Sequence, residues 1–269
     1  MSRPTLKTAR RRLGRLLLEA WLPVVAFTAW WVASDGSTSF YYPPLREILR
    51  VTKDEWLGDR FFHDLLPSLT NFAAGYAIAG VVGISLGLVL GLSPLLRRAT
   101  APTIDFLRSI PPPALISVMI ILLGFQDTMK VTAIAFASLF PVLLNTIDGV
   151  RAVDPVQLDM ASAYRLRLRD RLFKIVLPAA SPQIFAGLRI SLAIAVAVMV
   201  FSEMFAGAEG LGYFIKFAQE TYQIPEMYSG IIVIGLLGYL TNLLFVLAER
   251  RILRWYRGWK RAASDTGGA

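Results

Sequence analysis

The sequence contains no cysteine and a single histidine. Without thiols the chain has no disulfide, no thiolate metal ligand and no cysteine nucleophile. One imidazole, His63, does not build a histidine metal site, and beside Phe61 and Phe62 it reads as a surface or interface residue. Charge is also scarce. Asp, Glu, Lys and Arg make up 17% of the chain, against about 25% in an ordinary soluble domain. No Gly-x-x-x-x-Gly-Lys-Ser/Thr stretch occurs, so the chain does not cradle ATP in that way. No nucleophile, base and acid group together in the apolar stretches, so no catalytic residue and no metal site is assigned.

What is abundant is apolar surface. Hydrophobic residues make up 55% of the 269 positions, and mean hydropathy is +0.53. Six stretches approach the roughly 20 apolar residues that a membrane-crossing helix needs: residues 16–34, 69–92, 103–123, 131–148, 182–205 and 228–247. The third contains Pro111, Pro112 and Pro113, with Asp105 and Arg108 near its start, so it is expected to be kinked or short. The expected fold class is therefore an all-α membrane protein with six transmembrane helices.

The net charge of +9 raises the question of nucleic acid, and its distribution answers it. Of the 28 basic residues, 22 lie in residues 3–15, 97–108, 151–189 and 250–261, on one side of the expected spans. Arg46, Arg50, Lys53, Arg60, Lys130 and Lys216 lie on the other. Charge parcelled into membrane-flanking loops is not a nucleic-acid groove. By the positive-inside rule both termini are cytosolic. The chain then divides into a basic segment (1–15), a six-helix domain (16–248) with a cytosolic loop at about 149–181, and a basic tail (249–269). A cleaved signal peptide is the alternative for the first stretch, given its basic start and Val32-Ala33-Ser34 end; an even number of spans with both basic ends inside favours a retained anchor.

Within the second stretch Gly75, Ala79, Gly83, Gly87 and Gly91 recur every fourth residue. Such a face lets helix backbones approach closely in lipid, where apolar surface alone drives little association. Gly230 and Gly238 are a weaker echo in the sixth stretch. Near the outer end of the fifth, Ser202 and Glu203 are candidates for lining a pathway, because an ionisable residue in a span is rare. Glu203 alternatively caps the following turn, Gly207 to Gly212 (GAEGLG), whose spacing does not match a phosphate loop.

The densest cationic run lies between the fourth and fifth stretches: Arg165, Arg167, Arg169, Arg171 and Lys174 in LDMASAYRLRLRDRLFKIVLP, residues 158–178. Asp154-Pro155-Val156-Gln157 reads as a helix start, with Asp as N-cap, Pro at the first helical position and Gln completing a capping-box-like pattern. Leu177-Pro178 reads as a stop and Ser181-Pro182 as a restart. A helical element of about 20 residues follows, with Arg167, Asp170, Arg171 and Lys174 on one face and Leu168, Leu172, Phe173, Ile175 and Val176 on the other. It is either an amphipathic helix on anionic lipid or a docking element for a cytosolic partner.

In this stretch the chain resembles the permease subunit of type I ABC importers, the binding-protein-dependent transport family. That family carries Glu-Ala-Ala, three residues, Gly, nine residues, then Ile-x-Leu-Pro. Here Asp159-Met160-Ala161 stands for the first element, Arg165 for the Gly, and Ile175 to Pro178 for the last. The resemblance runs from about residue 69 to 256. RSIPPPALISV, FPVLLNTIDGVRAVDP, VLPAASPQIFAGLRIS and SEMFAGAEGLGYFI look like the branch importing aliphatic sulfonates, taurine, nitrate or related small anions. The resemblance implies a bacterial inner-membrane permease that pairs with a second permease subunit, two cytosolic ATPase subunits and an extracytoplasmic binding protein. ATP and Mg would sit on the ATPases, and this chain would bind no cofactor itself. It places ATPase coupling on Asp159, Met160, Ala161, Tyr164, Arg165, Arg167, Arg169, Arg171, Leu177 and Pro178.

Two departures stand out. Asp159 shortens the acidic reach, and Arg165 replaces a Gly that permits positive φ. Arg165 therefore either carries a steric cost in a tight turn or sits in one straighter helix. A Glu facing an anion would repel it, so Glu203 is a gate or turn residue, or the solute is not a simple anion; phthalate-like carboxylates, pyrimidine precursors and flavin-type solutes also belong to this branch. A gradient-driven secondary transporter is the alternative function, though no clear repeated halves appear. A membrane enzyme or scaffold is a third.

Overall fold

The computed structural model describes residues 21–256. The basic segment 1–15, the start of the first expected span and the tail from residue 257 lie outside the described residues. Among the described residues the regular elements are helices. They are α1 (Trp21–Ser34), α2 (Leu45–Trp56), α3 (Phe61–Leu92), α4 (Pro94–Ser109), α5 (Pro112–Leu123), α6 (Asp127–Arg151), α7 (Pro155–Ala163), α8 (Leu168–Ala206), α9 (Leu211–Glu220) and α10 (Ile224–Ile252). Only α3, α6, α8 and α10 are each long and apolar enough to cross a membrane, and α4 with α5 makes a fifth, broken candidate. The described part of α1 is apolar but shorter.

Each long helix overruns its expected boundary, most of all in α8, where Leu177-Pro178 and Ser181-Pro182 read as punctuation. Leu66-Pro67 lies inside α3, and Leu177-Pro178 and Ser181-Pro182 lie inside α8. Proline lacks an N–H and its ring collides with the carbonyl four residues back. The chain absorbs both Leu-Pro pairs with the same device. A turn of π-helix precedes each, so the Leu66 N–H donates to the Phe61 carbonyl and the Leu177 N–H to the Leu172 carbonyl. The widened turn takes the obstructing carbonyl out of line with the ring and keeps the helix continuous. At Pro182 the orphaned carbonyl is that of Pro178, and the Ser181 hydroxyl donates to it at 2.7 Å.

The third expected span, by contrast, does break. Ile110 and Pro111 each precede a proline and are both extended (ψ 122° and 130°), as the clash with the following ring demands. Two successive non-helical residues separate α4 from α5 by a 92° bend.

The small-residue stripe of α3 lies against α6. A Cβ on Gly75 would meet Ile134, on Gly83 Val142, on Gly87 Thr146 and on Gly91 Val150, each at 2.9 Å or less. Ala79 is buried in the same row. The partner number rises with the stripe number, so α3 and α6 run parallel. α8 packs antiparallel on α6: Gly149 meets Gln183 and Ala180, Gly187 meets Asn145, and the Ser191 hydroxyl donates to the Ser138 carbonyl at 2.7 Å. Tyr76 OH donates to the Leu188 carbonyl at 2.9 Å, tying α3 to α8. Close backbone contact with a few interhelical hydrogen bonds is how helices associate in lipid. In α10, Gly230 rests on Ile215 of α9 whereas Gly238 faces open space.

Candidate functional site

The cationic run forms a two-part arm at the end of the bundle where α6 leaves and α8 begins. Asp154 is the N-cap of α7, its carboxylate accepting from the Val156 N–H at 2.9 Å, with Pro155 first in the helix. The helix is not one element of 20 residues. It ends at Ala163. The Arg165 N–H donates to the Ser162 carbonyl and the Leu166 N–H to the Ala161 carbonyl, both at 3.0 Å. That pair of bonds is a Schellman turn. Its left-handed position is occupied by Arg165 at φ 49°. Of the two readings open for Arg165, the structure adopts the tight turn, with an arginine in the conformation that ordinarily favours glycine.

The break reorganises the faces. Leu158, Leu172, Ile175 and Val176 pack against Val150, Val153 and Ala180 at the base of the bundle. Leu168 and Phe173, expected on that apolar side, project outward instead, 75% and 57% exposed. The turn rotates α8 relative to α7, so a single helical wheel cannot describe both. Exposed apolar side chains Val156, Met160 and Tyr164 run at four-residue spacing along α7. Asp159, Arg165, Arg167 and Arg169 are exposed beside them, while Arg171 is half-buried. Lys174 is held by Asp170 at 2.7 Å. Behind this face an open groove of about 670 Å³ is lined by Met160, Ala161, Tyr164, Leu166 and Pro178, and by Trp255 from beyond α10. Leu177 is half-buried at the root of the arm. Trp255 had no motif to single it out; an aromatic close behind the last span is the only sequence signal.

At the opposite end of the bundle, Ser202 and Glu203 are inside the protein, 0% and 1% exposed. The Ser202 hydroxyl donates back to the Met199 carbonyl. Glu203 Oε2 accepts from the Gly212 N–H at 2.9 Å. Two residues from α3, which the sequence did not flag, complete the cap: Asp64 Oδ1 accepts from the Gly210 N–H at 3.0 Å and Ser68 Oγ from the Leu211 N–H at 2.9 Å. Three consecutive orphan donors at the start of α9 thus each receive an oxygen, two of them carboxyl oxygens. The glycines of GAEGLG follow from this. Gly210 has φ 113°, and a Cβ there would fall 2.6 Å from the Glu203 carboxyl carbon; one on Gly212 would fall 2.3 Å from the Val200 carbonyl. Nearby, buried Lys130 donates to Asp127 at 2.9 Å, and Asn71 donates to the same oxygen at 3.0 Å. Arg60 reaches Asp64 and covers the Phe214 ring at 4.5 Å. Asp64 and Ser68, four apart just before and after Leu66-Pro67, are the pattern that could have been noticed. His63 is exposed on this rim.

Against this geometry the similarities are consistent. The family described as binding-protein-dependent transport system inner membrane component matches residues 60–258. A protein named as the aliphatic sulfonates transport permease SsuC of Bacillus subtilis is 31% identical, covering 94% of this chain and 92% of its own. The taurine transport system permease protein TauC of Escherichia coli is 30% identical, covering 86% and 87%. The bicarbonate transport system permease protein CmpB of a Synechocystis species is 34% identical over 67% and 65%. Among solved structures, the inward-facing MetNI methionine ABC transporter overlays with a TM-score of 0.59 at 17% identity, covering 70% of this chain and 92% of that one. That overlay speaks for the fold alone.

Proposed function

The chain belongs to the family of binding-protein-dependent transport system inner membrane components, and on that premise we propose that it forms half of the translocation pathway of an ATP-driven importer for a small anion of the sulfonate type. The names of relatives transporting aliphatic sulfonates and taurine support this solute class. Two permease subunits, two ATPase subunits carrying ATP and Mg, and an extracytoplasmic binding protein complete the assembly in the inner membrane, with both termini cytosolic. The observation that carries the reading is the arm. A short helix with an exposed apolar row and a flanking arginine cluster, seated at the base of the bundle by its other face and ended by a fixed turn, is a surface made for a protein partner. The ATPase docks there, on Met160, Tyr164, Arg165, Arg167 and Arg169, and its closure moves α8 through the continuous helix at Leu177-Pro178. Ala161 is buried on the inner side of the arm.

The test is reconstitution in proteoliposomes with the ATPase and binding protein encoded beside it. Ethanesulfonate uptake is expected to require ATP. Arg167→Glu with Arg169→Glu should weaken ATPase capture at least about 30-fold, the scale set by reversing two interface charges. Unchanged capture refutes the docking surface. Uptake that survives ATP removal and collapses with the ion gradient selects a secondary transporter instead.

A further inference from the structure

The bend between α4 and α5 borders a partly open cavity of about 440 Å³. Its walls are Leu107 and Ile110 from the end of α4, Leu115 from α5, and Phe136 and Phe140 from the middle of α6. α6 is a candidate span from Asp127 to Arg151, and the cavity lies level with its middle, so Arg108, which the charge count groups with the cytosolic flank, sits within the span rather than at its edge. Arg108 is the only charged side chain in the lining. We propose that this cavity is a contact site on the translocation route for a small organic monoanion, with Arg108 as its cationic contact. The proposal rests on the transport function above and adds where, and by which chemistry, the solute is met.

Three observations point the same way. First, Arg108 is not buried in protein at that depth; its side chain is 52% exposed. A guanidinium facing acyl chains costs several kcal/mol, so cations at this level face a partner or a watered cavity. Second, Asp105 accepts the Nε hydrogen at 2.9 Å. That bond sets the plane of the guanidinium and leaves its Nη groups for a two-point contact with an oxyanion. The adjacent carboxylate also offsets the net charge, so binding stays weak, as passage requires. Third, the helix is discontinuous here, an arrangement that recurs where transporters meet their solutes. The break is Ile110 and Pro111, and α5 opens on Pro112 and Pro113; the three prolines have no N–H to offer, and the Ile110 N–H is already given to the Leu107 carbonyl. Backbone donors are therefore missing at the bend, and the guanidinium supplies the donors.

The remaining walls select the class. Phe136 and Phe140 stand edge to face, centroids 5.2 Å apart, and the other lining side chains are aliphatic. Such walls suit an oxyanion carrying a short apolar group, an alkanesulfonate, and offer nothing to hydrogencarbonate beyond the guanidinium itself.

Because the chain has no cysteine, Leu115→Cys introduces a unique thiol on the cavity wall. In the assembled transporter with cysteine-free partner subunits, its reaction with an anionic (sulfonatoethyl) and a cationic (trimethylammonioethyl) methanethiosulfonate reports both water access and local charge. Arg108→Gln is expected to lower the anionic-to-cationic rate ratio about tenfold, the effect of one charge at close range. Arg108→Lys should retain most of the ratio, and ethanesulfonate should slow labelling only where the cation remains. An unchanged ratio in Arg108→Gln, or a thiol that reacts with neither reagent, overturns the proposal. In uptake, Arg108→Gln should lose transport while binding-protein-stimulated ATP hydrolysis stays within about twofold; joint loss of both would make Arg108 structural. Failure of the unmodified transporter to import ethanesulfonate would refute the solute class, and the labelling ratio decides the site separately.

Discussion

Gly87→Ala adds one methyl group to the seam between α3 and α6. The ideal Cβ falls 2.5 Å from Thr146 Cβ, 2.7 Å from Thr146 Cγ2 and 3.0 Å from the Leu143 carbonyl oxygen. Carbon atoms rest at about 3.5–4.0 Å, so the helices must part locally by about 1 Å. A rotamer change does not help, because two of the obstructing atoms are a Cβ and a backbone oxygen. The helices are also pinned at Gly83 and Gly91 on either side. Overpacking of this kind costs about 1–3 kcal/mol, and the better helix propensity of Ala returns about 1 kcal/mol. The net expectation is a loss of about 0–2 kcal/mol. Gly235→Ala is the matched control: nothing lies within 4 Å of its ideal Cβ, so only the propensity gain of about 0.5–1 kcal/mol should appear. Unfolding of the purified chain by SDS titration in mixed micelles, followed by tryptophan fluorescence, separates the two. If Gly87→Ala is as stable as Gly235→Ala, the parallel α3–α6 seam described above is wrong.

Three further outcomes test other parts of the structure. Arg165→Gly should leave the melting temperature unchanged or raise it, since relief of a left-handed arginine (about 1 kcal/mol) is set against the entropy of glycine in the unfolded chain; Arg165→Val should lower it, and the reverse order would refute the turn. Gly210→Ala should cost at least about 2 kcal/mol from its φ and its contact with Glu203, and Glu203→Ala about 1–3 kcal/mol by leaving the Gly212 N–H unpaired. The double variant should be less destabilised than the sum, because removing the carboxylate makes room for the new methyl; strict additivity in a double-mutant cycle would refute their contact. Ser181→Ala should cost about 1 kcal/mol and speed amide exchange in the first turns of α8, because the Pro178 carbonyl loses its donor; unchanged exchange would show that the hydroxyl is dispensable.

Much of the fold was legible because membrane helices announce themselves by length and apolarity. α3, α6, α8 and α10 all contain the stretches expected from hydropathy. The α7 start was legible because capping is local: Asp154 and Pro155 act within one turn. Pro178 and Pro182 do not punctuate the helix as their sequence context suggests, because whether proline ends a helix depends on whether a widened turn or a hydroxyl can serve the freed carbonyl. At Ile110-Pro111-Pro112 no such repair is available to two successive pre-proline residues, and the break expected from sequence occurs. α2 and α9 were not named, since both are short and neither has the length of a span.

The cationic run first stood out by composition, and its cap, its basic loop and its register with a permease motif were all present in the linear order of residues. That order also determined the class of protein, because partition into lipid depends on composition and length. Only the tertiary structure decided what Arg165, Glu203 and the α3 glycines do. Arg165 takes a left-handed turn because the carbonyls of Ala161 and Ser162 capture the following amides. Glu203 closes the start of α9 beside Asp64 and Ser68, residues far away in the chain. The glycine stripe gains meaning from α6, whose matching row lies some 60 residues further on. Local chemistry is written in neighbours along the chain; the partner that satisfies a buried donor or fills a groove is chosen by packing across it.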